Sequence, residues 1–211
     1  DLGITSGSSM TEDVLAAYTE VTVKPDTLTT LRAGLRYELT DMDLQSNEGE
    51  PIVDRRYGSF FPSIAYSRVL GGRRTVNASY TRRVTRPSFR NLALALYFYD
   101  PYAVLMGNPA LRHAIVNMLK LDFSVGDLLT SVQYAWEDHS IAPFQNRIDP
   151  EQNFQVVLPE NIRGRHQLSG MLAFPFQLTD WWTSQNSLTA RWEQVSGFSS
   201  ETEVSHDRPS F

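Results

Sequence analysis

The residues best suited to chemistry gather between positions 85 and 112. Arg86, Arg90 and Asp100 supply charge, Tyr97, Tyr99 and Tyr102 supply aromatic faces, and prolines at 87, 101 and 109 restrict the chain that carries them. Aromatic faces beside charges suit sugars, aromatic chelators or organic ions, so this segment is the expected region of substrate contact. A plainer use of the same residues is to fold the segment against whatever lies beneath it. Covalent chemistry has less support. Asp138-His139-Ser140 puts the three triad residue types in succession, which does not by itself make the spatial relay. No serine stands in a nucleophile elbow, and there is no phosphate loop or dinucleotide fingerprint. The expectation is therefore no enzyme, no catalytic residue and no cofactor. His113, His139, His166 and His206 are dispersed, and a solvated loop explains Asp41 and Asp43 more simply than an ion does, so no metal site is expected. Cysteine is absent, which removes disulfides, thiolate ligands and a cysteine nucleophile.

The elements that must position these residues alternate with a period of two. In residues 31–40, Leu31, Ala33, Leu35, Tyr37 and Leu39 point one way, and Arg32, Gly34, Arg36, Glu38 and Thr40 the other. That is a strand with one apolar and one wet face. The pattern returns around Phe60–Tyr66 and Val76–Tyr80, which flank the hairpin signal Gly71-Gly72, and around Leu119–Phe123 and Val132–Trp136, which flank Gly126-Asp127. It returns again in Leu168–Phe176 and Leu188–Trp192, on either side of a turn at Thr179 to Trp182. With a weaker candidate at Val14–Val23, eight strands are predicted.

Short connections at 24–26, 71–72, 126–127 and 179–180 alternate with long ones near 44–56, 84–112, 138–152 and from 198 onward. Short turns then lie at one end of the sheet and long loops at the other, as in an outer-membrane barrel. Arg32, Arg36, Glu38, Lys120, Asp122, Arg191 and Glu193 fall on the polar parity and are expected to face the lumen. Arg82 has the apolar parity of Val76, Ala78 and Tyr80, so it must sit beyond the hydrocarbon.

Composition fits this reading. The 211 residues are 41% hydrophobic and 20% charged, with 24 acidic against 19 basic side chains. That is too apolar for general disorder and not basic enough for a nucleic-acid binder. No run approaches the roughly 18 apolar residues of a membrane helix, whereas a membrane strand needs about 9 to 11 alternating ones. No leader pattern precedes Asp1, so the chain is expected to be mature or cut from something longer.

One ordered series of motifs resembles a known family. Ser79-Tyr80-Thr81-Arg82-Arg83-Val84-Thr85-Arg86-Pro87-Ser88-Phe89 is followed by Asp100-Pro101-Tyr102 and by Gly107-Asn108-Pro109-Ala110-Leu111. Ala33-Gly34-Leu35-Arg36-Tyr37-Glu38, Phe61-Pro62-Ser63, Pro159-Glu160-Asn161-Ile162 and Trp181-Trp182-Thr183 accompany it. The series resembles the barrel portion of TonB-dependent outer-membrane receptors, Bacteroidetes-type, from about residue 12 to residue 197. The segment at 91–99 is more apolar than that resemblance leads one to expect of an outward loop, and Leu111-Arg112-His113-Ala114 departs from its more common lysine-proline-glutamate run.

The resemblance implies an all-β, antiparallel transmembrane barrel of about 22 strands, of which this chain holds about eight consecutive ones. Residues 1–211 would form a partial barrel domain with the plug domain absent from the chain. It implies a receptor in the bacterial outer membrane that binds a nutrient outside and admits it to the periplasm, with lipid, plug and TonB as partners. The substrate would be a small molecule, a glycan or a metal chelate. A passive porin or structural barrel closed by eight strands is the alternative, and a soluble β-sheet binding module a more distant one.

Overall fold

The computed structural model describes residues 7–94, 97–100, 102–149, 154–199 and 202–210. Nine strands form one antiparallel sheet in chain order: β1 (Ser8–Val23), β2 (Thr29–Ser46), β3 (Pro51–Gly71), β4 (Arg74–Thr85), β7 (Ala114–Val125), β8 (Leu128–Asp138), β11 (Gly164–Thr179), β12 (Trp182–Ser199) and β13 (Thr202–Ser210). The eight predicted strands are the first eight of these. The ninth was not foreseen, because His206-Asp207-Arg208-Pro209 does not alternate; it pairs with β12 through Arg191↔Ser210 to Ser199↔Thr202.

Register confirms the period-two reading on the apolar side. Tyr80 pairs with Leu119, Leu119 with Tyr134, Tyr134 with Leu168 and Leu168 with Trp192, so one row of apolar and aromatic side chains crosses five strands. The next row toward the short turns runs Ala78, Leu121, Val132, Gly170, Ala190. These side chains pack into no core: Leu35 is 44% exposed and Leu121 50%. Solvent would not tolerate so wide an apolar face, whereas lipid requires one.

The tight turns follow from backbone stereochemistry. Gly71 pairs with Arg74, leaving Gly72 (φ 57°) and Arg73 (φ 59°) as the two central residues, one position later than the Gly71-Gly72 expected. Two left-handed residues make the type I′ turn that matches strand twist. Gly126 (φ 59°) opens the neighbouring turn, and its N–H donates to the Arg73 carbonyl at 2.9 Å. The Arg73 guanidinium also reaches Asp127 at 2.7 Å, tying the two turns together.

At the other end the connections differ from expectation. The long loop placed near 44–56 is instead a tight turn at the tip of two long strands, with Leu44 paired to Val53 and the Gly49 N–H donating to the Ser46 carbonyl. The connections at 86–113 and 139–163 are also structured. They contain α1 (Phe89–Leu92), β5 (Tyr97–Asp100), β6 (Ala103–Leu105), β9 (Ile141–Asp149) and β10 (Phe154–Asn161), and their strands build a second sheet in the order β5-β6-β10-β9. Its β6–β10 pairing is parallel, which knits the two connections to each other.

The buried core sits beneath this second layer. Met42, Leu44 and Val53 on the extended tips meet Leu92 and Leu111 from the 86–113 connection, with Met10, Ile52 and Ile141 at the edge. This accounts for part of the apolar character of residues 91–99: Leu92 and Ala93 are buried, whereas Leu94, Tyr97 and Phe98 stay exposed. The alternation in β2 explains why the tip escaped notice. Up to Thr40 the odd positions are apolar, but beyond it Met42 and Leu44 put apolar groups on the formerly polar parity, while Asp41 and Asp43 face the other way. The strand continues as the environments of its two faces exchange.

Candidate functional site

The polar face carries its charges as a ladder of separate ion pairs. Arg32 pairs with Glu20 on β1 at 3.4 Å, Arg36 with Glu38 at 2.5 Å, Lys120 with Asp122 at 3.0 Å, and Arg165 with Glu193 at 3.1 Å. Register puts all seven charged positions expected on this face on the side opposite the apolar rows, with Gln133 and Ser169 standing between Lys120 and Arg191 in one row. Arg32–Glu20 and Arg165–Glu193 cross between strands, the other two run along one strand, and such exposed opposite charges stabilise a sheet modestly while keeping its face wet.

One node joins two groups of residues that the sequence had kept apart. Arg86 follows β4, yet it turns onto β2: its Nη2 donates to Glu38 Oε2 at 2.5 Å and to Thr40 Oγ1 at 3.0 Å, and its Nε lies 3.1 Å from Glu12 on β1. Glu38 is 8% exposed and accepts from Arg36 through its other oxygen. Arg86 thus anchors the start of the 86–113 connection to the polar face. Thr40 could have been read from its parity, but Glu12 had no signal, because its significance depends on the β1–β2 register Glu12↔Met42.

The other substrate-contact positions are spread over the second layer. Arg90 is exposed on the one-turn helix, and Tyr97 and Tyr102 are exposed at 57% and 69%. The side chains of Tyr99 and Asp100 lie outside the described residues. Beneath this layer a cleft of about 650 Å3 opens, lined by Met42, Arg55, Arg56, Tyr57, Arg112 and His113 among others. Arg55 spends its guanidinium on the backbone, donating to the Pro109 carbonyl at 2.6 Å and to the Leu111 carbonyl. The His113 ring stacks on Tyr57 with centroids 4.3 Å apart. Burial, with Arg86, His139 and Arg55 nearby, holds the His113 imidazole below its ordinary pKa.

Gly107 and Asn161 hold the connections in place. The Gly107 N–H donates to the Ala93 carbonyl at 3.1 Å, and a Cβ at this position would collide with that same carbonyl. Asn161 Nδ2 donates to the carbonyls of Arg112 (3.0 Å) and His139 (2.8 Å), and its Oδ1 accepts from the Arg112 N–H at 2.7 Å. A single side-chain amide therefore clamps the two connections together.

No hydrogen bond among the described residues links Asp138, His139 and Ser140; the chain turns at His139 (φ 55°), and Ser140 is buried. Among the described residues no group of histidines and carboxylates is placed to hold a metal ion.

Comparisons with known proteins agree with this architecture. The model of the outer membrane protein beta-barrel family matches residues 3–211. No curated protein sequence is significantly similar to the chain. Among solved structures, the copper transporter OprC superposes with a TM-score of 0.67 at 15% identity, covering 88% of this chain and 30% of that one. The ferric enterobactin receptor PfeA of Pseudomonas aeruginosa, in a mutant form, gives 0.55 at 16% identity over 88% of this chain and 30% of that one. The FrpB iron transporter of Neisseria meningitidis gives 0.53 at 15% identity over 97% and 27%. The chain spans about a third of the length of these barrels.

Proposed function

The chain belongs to the outer membrane protein beta-barrel family and resides in the bacterial outer membrane, and on that premise we propose that it is part of a TonB-dependent receptor of the Bacteroidetes type. In this reading, residues 1–211 are a partial barrel domain whose plug lies elsewhere in the protein. The polar face looks into the lumen, where Arg32, Arg36, Glu38, Lys120, Asp122, Arg191 and Glu193 line a wet passage and hydrogen-bond the plug. A nutrient binds at the loop end, against Arg86, Arg90, Tyr97, Tyr99, Asp100 and Tyr102, and passes inward when TonB moves the plug. No covalent step is needed.

One observation carries the reading: the connection that leaves β4 folds over the polar face instead of the apolar one, fixed there by Arg86 on Glu38 and Glu12. A passive pore gains from an open mouth, whereas a receptor needs a built surface over its lumen. The transport functions printed for OprC and FrpB belong to those proteins; they support a transport role here through the shared fold alone.

The test is the complete reading frame and its product. An upstream plug sequence, heat-modifiable migration of the full chain from the outer-membrane fraction, and nutrient-dependent growth that requires TonB are expected. A full chain without a plug, conducting ions passively in a planar bilayer, would establish the porin alternative instead.

A further inference from the structure

We propose that a pocket on the apolar, lipid-facing side of the sheet binds the phosphate of an outer-leaflet lipid headgroup. Its lining is Arg82, Ile115, Asp138, His139, Asn161, Ile162 and Arg163, around a hollow of about 490 Å3. The inference rests on the outer-membrane placement and is independent of the transport reading.

The position follows from register. Moving toward the loop end, the row Tyr80, Leu119, Tyr134, Leu168, Trp192 gives way to Arg82, Asn117, Trp136, His166, Gln194, and then to Val84, Ile115, Asp138, Gly164, Ser196. Hydrocarbon-facing residues thus yield to ring-bearing and polar ones and then to a charge within three rows. The rings at the boundary are in contact, with Tyr80 and Trp136 centroids 6.3 Å apart and Tyr134 and Trp136 centroids 5.7 Å apart. Their polar ends are satisfied between adjacent rows, Tyr80 Oη donating to Asn117 Oδ1 and Tyr134 Oη bonding His166 Nδ1, each at 2.9 Å. Such a belt marks the level of the headgroups.

Arg82 stands in the outer row of this belt, level with Trp136 and His166, half-buried, and its side chain makes no ion pair or hydrogen bond among the described residues. Its Nε is buried without an acceptor. A buried guanidinium nitrogen without an acceptor is costly, and the planar fork of an arginine matches phosphate oxygens. Asp138 and Arg163 line the same pocket, and the Asn161 amide is already engaged with backbone, so Arg82 is the group there that an anion would satisfy. It opens from the face that meets lipid, at the end of the long connections, where a barrel meets the outer leaflet. A phosphate carried on a lipid there arrives already confined to the right depth.

The experiment uses the complete purified receptor in detergent, with native mass spectrometry against diphosphoryl lipid A and its dephosphorylated counterpart. The wild type is expected to bind the phosphorylated lipid at least about tenfold more tightly. Arg82→Gln should erase most of that preference, and Arg82→Lys, which keeps the charge but loses the fork, should retain part of it. Heat-modifiable migration checks that each variant is folded, and the comparison of the two lipids on the wild type decides the matter even where a variant fails. Equal binding of both lipids, or an unchanged preference in folded Arg82→Gln, would overturn the proposal. So would displacement of the lipid by inorganic phosphate at equal concentration, which would make the pocket a site for free anions.

Discussion

Arg86 shows how a residue that is ambiguous in sequence acquires a definite physical role. Its charge suggested a ligand contact, but its guanidinium meets Glu38, Glu12 and Thr40, so any ligand must compete with those partners. Glu38 is the more buried partner and would be left with Arg36 alone. Removing one member of a fully buried pair costs about 3–5 kcal/mol. With Arg36 remaining and the site partly wet, Arg86→Met is expected to cost about 2 kcal/mol. The double change Arg86→Met with Glu38→Gln should recover much of that, because no carboxylate is then stranded. Denaturant midpoints of the refolded receptor check the magnitudes, and proteolysis within residues 86–112 should rise in the single variant more than in the double. Equal destabilisation by the two would mean that Arg86 acts through packing instead of charge.

At the scale of strands, orientation is testable without knowing a ligand. Leu121 lies in the row with Ala78 and Val132, and Ser124 on the opposite face of the same strand, opposite Thr75. A basic group on the lipid side near midplane costs about 2–4 kcal/mol, so Leu121→Arg should destabilise the barrel in lipid by that amount while Ser124→Arg costs less than about 1 kcal/mol. Similar costs for both would remove the assignment of faces. These faces were legible in the sequence because lipid and lumen impose opposite polarity on alternate residues. What stayed hidden depends on a third environment. At Met42 and Leu44 the parity inverts, since the inner side there is roofed by Leu92 and Leu111 while Asp41 and Asp43 face outward. Periodicity alone reads that inversion as the end of a strand. The second sheet was hidden for a related reason: β6 and β10 pair across more than forty intervening residues, and Asn161 clamps connections that are adjacent only after folding. Arg86 on Glu38 is of the same kind, whereas the charge ladder, confined to regular strands, could be read directly.

For the whole molecule the decisive feature is the edge. β1 pairs with β2 and β13 with β12, so the sheet has an outer edge at each of these strands. Unpaired backbone amides and carbonyls are not tolerated in hydrocarbon, and a membrane sheet must close. Joining these two edges directly is disfavoured by direction. In an antiparallel sheet of nine strands the first and last run the same way, so closure would need a parallel seam, whereas bacterial single-chain barrels close with even numbers of antiparallel strands. Residues 1–211 expressed alone and refolded into detergent are therefore expected to aggregate or to migrate without heat modification, while the complete chain gives a heat-modifiable monomer. A folded, heat-modifiable monomer from residues 1–211 alone would require β13 to leave the sheet and β1 to pair with β12, making an eight-stranded barrel. Such a barrel leaves no lumen wide enough for a plug, since about eight strands enclose an interior that side chains already fill. That outcome would remove the receptor reading at the same stroke, because the charge ladder would then have to be neutralised within its own interior and not by a separate domain.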